Sequence, residues 1–485
     1  MTSTYLPGLR AQTLRGFVLV GAQRAVSLLV TMMGGILLAR LLVPDVFGAY
    51  AIIGFAVGIA LTFGDLGLGA ALVQRRDLDL EASLAVAFTA QIALAAILGV
   101  AIAGFAPTIA LRFGLTPEAA APLRCLALLI PLSALKMPPV VLIERNLTYL
   151  PLTVAETADT VVYHVVAALT ALAGAGVWSF VLGAVTARIT GATVLWTATR
   201  WRPTFRWRWA NLKPILCFGL LFQGNAIITV IRDSVVPTFV AASSGIAAVG
   251  FLNWASAVSF LPLQFVTVAG KVLFPALSRL QHNPREFAEA TERALNRVAT
   301  VLYPVAFLLL AGAESIIRPI YGERWVPAVP AVRLFCVTAI LGGTSNLLVH
   351  ALYGFGRADI VFRLNLLWTA MLWGLTLLLV PRYGFVGFSL ASALVSATGV
   401  LTLLALRRLA PVRIFPAIRV PLTAAGTCAL FFGAVADTWI HGIGSLAIVG
   451  SVVVALYGGL VCLMGGAVWR AELLGDWRKV WERAS

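Results

Sequence analysis

The sequence predicts an all-α polytopic membrane protein with about fourteen transmembrane helices. Three observations predict it. Hydrophobic residues fill 60% of 485 positions and charged residues only 12%, whereas a soluble domain carries roughly 25% charged residues. Mean hydropathy is +0.95. Apolar runs of the roughly 20 residues that a spanning helix needs recur along the whole chain. Short Pro, Gly and charge signals, such as Val43-Pro44-Asp45 and Pro381-Arg382-Tyr383-Gly384, separate these runs.

The spans centre near Leu29, Ile59, Leu94, Ile130, Ala167, Leu182, Ile227, Ser259, Leu308, Leu341, Thr376, Leu394, Ala429 and Val454. The shortest seam is Ala173-Gly174-Ala175-Gly176, between the fifth and sixth. Arg10 and Arg15 precede a first stretch long enough to stay in the bilayer, so it reads as an uncleaved signal anchor.

Charge gives the sidedness. One set of loops holds Arg75, Arg76, Arg145, Arg200, Arg202, Arg206, Arg208, Lys213, Arg279, Arg285, Arg293, Arg297, Arg357, Arg407, Arg408 and Arg413. The opposite set holds little beyond Arg40, Arg112, Arg318, Arg324 and Arg382. The positive-inside rule puts the first set and both termini in the cytoplasm, as expected for a multi-pass membrane protein. The net charge of +16 is thus spent on orientation, not on a folded basic face for nucleic acid. The five cysteines lie inside apolar segments without CxxC spacing and read as small core residues.

Trp201, Trp207 and Trp209 alternate with arginines after the sixth span, and Trp469, Leu473, Trp477 and Trp481 share one helical face. Trp beside Arg favours the headgroup layer, so both stretches read as interfacial anchors, with a partner-binding role as the alternative. The largest loop, Ser278 to Asn296, has room for a short amphipathic helix and no separate domain.

The halves echo each other. Phe47-Gly48-Ala49-Tyr50 aligns with Val249-Gly250-Phe251-Leu252, Pro122-Leu123-Arg124 with Ala331-Val332-Arg333, and Val177-Trp178-Ser179-Phe180 with Val386-Gly387-Phe388-Ser389. The spacings are 202, 209 and 209 residues. Such duplication is common in transporters that rock two halves around a substrate, although apolar sequence also aligns to itself easily. The expected organisation is an N-lobe of six spans over 1–207, a C-lobe of six over 208–412, and two further spans with a cytoplasmic amphipathic tail over 413–485.

The segment Leu38-Ala39-Arg40-Leu41-Leu42-Val43-Pro44-Asp45-Val46-Phe47-Gly48-Ala49-Tyr50 resembles the loop after the first helix in polysaccharide-export flippases of the Wzx and WzxC type. Gly64-Asp65-Leu66-Gly67-Leu68-Gly69, Phe274-Pro275-Ala276-Leu277-Ser278-Arg279 and Tyr321-Gly322-Glu323-Arg324-Trp325-Val326-Pro327 are similar to further stretches of that family, as is Gly354-Phe355-Gly356-Arg357. The resemblance runs from about Gly16 to Arg408. It implies membership of the multidrug/oligosaccharidyl-lipid/polysaccharide exporter superfamily, with two six-helix lobes around a cavity plus two C-terminal helices. It also implies flipping of undecaprenyl-diphosphate-linked oligosaccharide from the cytoplasmic to the periplasmic leaflet. A polysaccharide polymerase and glycosyltransferases are possible partners.

A diphosphate needs cations, and Arg suits it because its planar fork matches phosphate oxygens. Charges inside a span are costly and therefore candidates. Arg24, Arg188, Arg232 and Lys271 are the candidate cavity cations. For Arg232 the competing reading is an ion pair with Asp233; for Arg188 and Lys271 it is snorkelling to the interface. Lys136 is a weaker candidate. Glu156 and Asp159, at i, i+3 spacing, are candidates for H⁺ or Na⁺ coupling, or else favour the positive N-terminal end of their helix. Asp65 and Asp233 complete the acidic candidates; Asp65, among glycines, reads foremost as shaping a helix end. Polar residues such as Gln23, Gln223 and Asn225 either touch sugar or pack helices.

An enzyme is not expected. The first loop holds one carboxylate, the four histidines show no ligand spacing, and no Gly-rich P-loop is present, so no metal or other cofactor is assigned. The alternatives are a multidrug or cation exporter of the same superfamily, whose cavity would favour acidic or aromatic residues, and, further off, a membrane polymerase or glycosyltransferase.

Overall fold

The computed structural model describes residues 6–74, 79–146, 148–199, 201–209, 212–213, 215–216 and 228–465. Among these, twelve helices are long and apolar enough to cross a membrane. Twelve of the fourteen centres read from the sequence fall inside them. The span centred on Ile227 lies mostly outside the described residues. The span centred on Ser259 is two shorter helices, α9 (Ile246–Ser259) and α10 (Leu263–Leu280), broken at Pro262, where the missing N–H and fixed φ suit a helix start. Arg75, Arg76, Arg200, Gln223, Asn225, Cys217 and the tail with Trp469, Trp477 and Trp481 are also outside the described residues, as are the side chains of Arg10, Arg15 and Lys271.

The chain forms two compact units, 1–250 and 251–485. In the first, α1 (Leu6–Leu41) packs on α7 (Leu150–Leu172), which lies along α8 (Val177–Thr199). Helix α8 also meets α6 (Leu129–Arg145), and α6 meets α4 (Leu80–Arg112). Helix α2 (Pro44–Asp65) continues into the short α3 (Leu68–Gln74), and α5 (Ala120–Leu126) leads into α6. In hydrocarbon, helices associate by close packing more than by water exclusion, so small residues mark the contacts. Gly183, Ala187 and Gly191 form such a stripe at i, i+4, i+8 on α8. A Cβ on Gly183 would reach the Tyr163 carbonyl oxygen at 2.9 Å, and one on Gly191 would overlap the Asp159 carboxylate. The core combines Ile52, Ile53 and Val57 of α2 with Leu123, Ile130, Val181 and the alanines Ala95, Ala106 and Ala110 of α4. Outward-facing Leu29, Val100 and Phe105 are well exposed, as a lipid-facing surface requires.

In the second unit, α11 (Pro284–Tyr321) is 38 residues long, about 57 Å at 1.5 Å per residue against a hydrocarbon core of about 30 Å. The stretch read as a loop from Ser278 to Asn296 is therefore mostly the extension of this helix, capped by Asn283, whose side chain accepts from the Glu286 N–H. The backbone angles of α11 stay helical through Pro304 and break at Gly312 (φ −116°, ψ 31°), where the Phe432 ring lies against the missing side chain.

Helix α12 (Val329–Gly354) packs on α11, and α13 (Ala358–Tyr383), α14 (Val386–Ala397) and α15 (Val400–Arg407) pack on α12. The last pair, α16 (Ile414–Trp439) and α17 (Ile443–Met464), docks on α11. Asn296 donates to the Ala417 carbonyl at 2.7 Å, and the Tyr457 hydroxyl donates to the Thr300 carbonyl at 2.9 Å.

Helix starts follow the internal spacing: α2 and α9 begin at Pro44 and Ile246, α5 and α12 at Ala120 and Val329, α8 and α14 at Val177 and Val386. Gly174 and Gly176, with φ of 79° and 56°, make the seam before α8, and Gly384, with φ of 60°, makes the one before α14.

Candidate functional site in the first unit

Polar groups within spans are few, so where they meet is informative. Helix α2 stops at Asp65 because Leu66 and Gly67 both turn left-handed, with φ of 49° and 65°. That conformation is unusual for leucine. Asp65 accepts from the Gly67 N–H and, at 3.4 Å, from the Gln91 amide of α4. Shaping a helix end is thus part of what Asp65 does.

The break opens a cavity of about 320 Å³ between α2, α3, α4 and α6. Asp65, Gln91, Ser133, Lys136 and Glu144 line it together with apolar side chains such as Ile130 and Met137. The Lys136 ammonium leaves the α6 side to meet Asp159 of α7 at 2.6 Å. Only 13% and 22% of the two side chains is exposed. Low dielectric strengthens such a pair and makes either partner alone costly. The second Asp159 oxygen, Oδ1, is buried with no hydrogen-bond partner among the described residues, close against Gly191.

The sequence-predicted residues are only partly brought together. Asp65 lies on the cavity and Asp159 stands behind Lys136. Glu156, one turn from Asp159, is exposed, and its charge reaches Glu144. Arg24 is exposed on α1. Arg188 is half-buried on α8, its charge reaching Tyr50, whose hydroxyl hydrogen-bonds Tyr163 and whose ring stacks on Phe180 at 4.7 Å. Arg232 pairs with its neighbour Asp233 at 2.9 Å, both well exposed, which is the ion-pair reading of that site. Lys271 sits on α10, its side chain outside the described residues.

Three polar lining residues escaped the sequence reading, Gln91, Ser133 and Glu144. Gln91 is a lone amide in the apolar run of α4, a signal in itself, since an amide in hydrocarbon needs partners. Glu144 was hidden beside Arg145, at what reads as a helix end.

A family model described as "Polysaccharide biosynthesis protein" matches residues 37–330. The chain belongs to the polysaccharide biosynthesis protein family. Among relatives of this family, the succinoglycan biosynthesis transport protein ExoT of Rhizobium meliloti is 26% identical over 74% of this chain and 72% of its own length. The lipopolysaccharide biosynthesis protein WzxC of Escherichia coli is 25% identical over about a third of each chain, 34% and 34%. The lipid II flippase MurJ, in an inward closed conformation, shares the fold with a TM-score of 0.73, covering 95% of this chain and 99% of its own at 14% identity. The chain is thus a multi-span membrane protein of the polysaccharide biosynthesis family whose helical fold is like that of MurJ.

Proposed function

We propose that the chain flips undecaprenyl-diphosphate-linked oligosaccharide from the cytoplasmic to the periplasmic leaflet of a bacterial inner membrane, by alternating access and with both termini in the cytoplasm. The observation that carries this reading is family membership over most of a chain with twelve apolar spans. A relative that is named a transport protein and aligns over 74% of the chain supports it. The basic excess of one loop set supports the orientation. The chain does not act as an enzyme in this reading; polymerase and glycosyltransferases would work beside it. The lobes correspond to 1–207 and 208–412, with the remaining residues as an added helix pair and tail.

Arg24, Arg188, Arg232 and Lys271 are assigned to the substrate diphosphate, because delocalised or mobile cations on spans suit phosphate oxygens. Asp65, Asp159, Glu156 and Asp233 are the acidic groups available for coupling to H⁺ or Na⁺.

The test is genetic. Deleting the gene is expected to abolish extracellular polysaccharide and to trap lipid-linked repeat units on the cytoplasmic side. Complementation with wild type restores polymer, and Arg24→Ala or Arg232→Ala does not. Normal polysaccharide with altered drug sensitivity would overturn the reading in favour of a multidrug exporter.

A further inference from the structure

Anchoring in a headgroup layer needs only amphipathic side chains; the segment after α8 carries more than that. Residues 201–208 form no helix, strand or turn, and helical backbone resumes at Trp209. A backbone without its own hydrogen-bond ladder does not face hydrocarbon, so this strap lies at the level of the headgroups. Helix α4 points to the same depth. Its 33 residues span about 50 Å against about 30 Å of hydrocarbon. The strap meets it at Phe88 and Thr89, about 12 Å from its first residue.

The strap is held at three points. The Trp201 ring packs on Trp196 of α8 at 5.5 Å and on Phe88 of α4 at 5.4 Å. The Arg206 N–H donates to the Thr89 hydroxyl oxygen at 3.0 Å, while that hydroxyl donates its own proton to the Ala85 carbonyl. Beyond the strap, Leu212 and Ile215 are buried in one core with Leu68 and Leu72 of α3 and Leu84 of α4. These contacts fix the backbone and leave the side chains outside. Phe205, Trp207 and Trp209 are 69%, 62% and 59% exposed, and Arg202, Arg206 and Arg208 are exposed between them.

Charge decides what meets that surface. Arg232, Arg293, Arg318, Arg357 and Arg363 each have a carboxylate within 3.7 Å. Among the described residues no carboxylate pairs with Arg202, Arg206 or Arg208. From residue 160 to residue 232 the sequence holds no Asp or Glu at all. The counter-anion for these guanidiniums therefore comes from outside the chain. Their planar forks suit phosphate oxygens, and Trp rings beside them suit the boundary between headgroups and acyl chains.

We infer that the strap 201–209 is a binding site for anionic phospholipid. Arg202, Arg206 and Arg208 take the headgroup phosphate, and Phe205, Trp207 and Trp209 lie against the glycerol and upper acyl chains. The occupant is the lipid of the bilayer and not a lipid-linked oligosaccharide, so the inference stands apart from the flippase reading. Trp201 and Leu212 tie the strap to α8, α4 and α3, so a lipid held there braces three helices of the first unit.

The test is native mass spectrometry of the full chain in detergent, titrated with phosphatidylglycerol or with phosphatidylcholine of the same acyl chains. Wild type is expected to hold the first phosphatidylglycerol at least tenfold more tightly than phosphatidylcholine. Arg202→Gln, Arg206→Gln and Arg208→Gln each lower the phosphatidylglycerol affinity about fivefold, and the triple variant loses the preference. Trp207→Ala with Trp209→Ala weakens both lipids and keeps the preference. Arg357→Gln with Arg363→Gln, at exposed arginines that pair with Asp359, leaves both affinities unchanged.

Equal affinity of wild type for the two lipids would overturn the inference, as would a triple variant with wild-type affinity for phosphatidylglycerol. Displacement of bound phosphatidylglycerol by an equal concentration of inorganic phosphate would also overturn it, by marking a plain phosphate site. The substituted side chains on the strap are all exposed. Melting temperatures in phosphatidylcholine bilayers are therefore expected to match wild type, and the single variants carry the test if the triple variant does not fold.

Discussion

Gly48 and Gly250 press backbone against backbone: a Cβ on Gly48 would overlap the Ile246 carbonyl oxygen, and a Cβ on Gly250 would overlap that of Pro44. The contact is reciprocal, each glycine sitting near the start of its helix and each meeting the residue that opens the other. These are the two glycines that align in the internal repeat, 202 residues apart.

Gly48→Ala and Gly250→Ala should therefore each destabilise the protein by about 1–3 kcal/mol, the usual cost of overpacking a tight contact. Their effects should not add, since either change already separates the helices. Thermal melts of the two single variants and the double variant in detergent check this; a double variant whose loss equals the sum would contradict a shared contact.

The Lys136–Asp159 pair gives a second prediction. Lys136→Met leaves a carboxylate in low dielectric and should cost about 3–5 kcal/mol. The double variant Lys136→Met/Asp159→Leu should be better tolerated than either single change, because it removes both charges together. Chemical unfolding in mixed micelles would show the order. A double variant less stable than both singles would mean that the pair does not hold α6 to α7.

Gly191→Ala tests the same pair from a third helix. Its new methyl would overlap Asp159 Oδ1, so the carboxylate must shift from Lys136 or α8 must move from α7. Cysteine cross-linking between α7 and α8, compared in wild type and variant, should show a lower yield in the variant. An unchanged yield together with an unchanged melting temperature would mean that the carboxylate adapts freely.

Gly312→Ala addresses the second unit. The break in α11 leaves room for the Phe432 ring, and a methyl there would drive the ring out. The expected loss is again about 1–3 kcal/mol, and Phe432→Ala in the same background should recover part of it. Pro304→Ala, by contrast, should change stability little, since the angles do not break there; melts of both variants side by side make the comparison.

Much of the fold was legible in the sequence. Span positions follow from hydropathy, which acts locally and over a known length, so twelve centres fell inside helices. The seam at Gly174 and Gly176 was readable because positive φ favours glycine. The break at Gly312 was not readable, because it formed where a ring from another helix needed space. Lys136 drew little notice because its partner lies 23 positions on, in the next span. Asp159 was read with Glu156, its neighbour on one helix, yet its partner came from across the helix interface.

The sequence by itself determined that this chain lives in a bilayer and near which residues most of its spans are centred. Apolar length, loop charge and turn chemistry are each written in a short window, and each acts without knowledge of the rest. Only the tertiary structure decided which polar groups meet: Gln91 with Asp65, Lys136 with Asp159. Those meetings depend on how each helix is rotated and which neighbour it touches. Glycine and alanine contacts such as Gly191 on Asp159 and Gly48 on Gly250 set those rotations, and such contacts exist only once distant segments have packed.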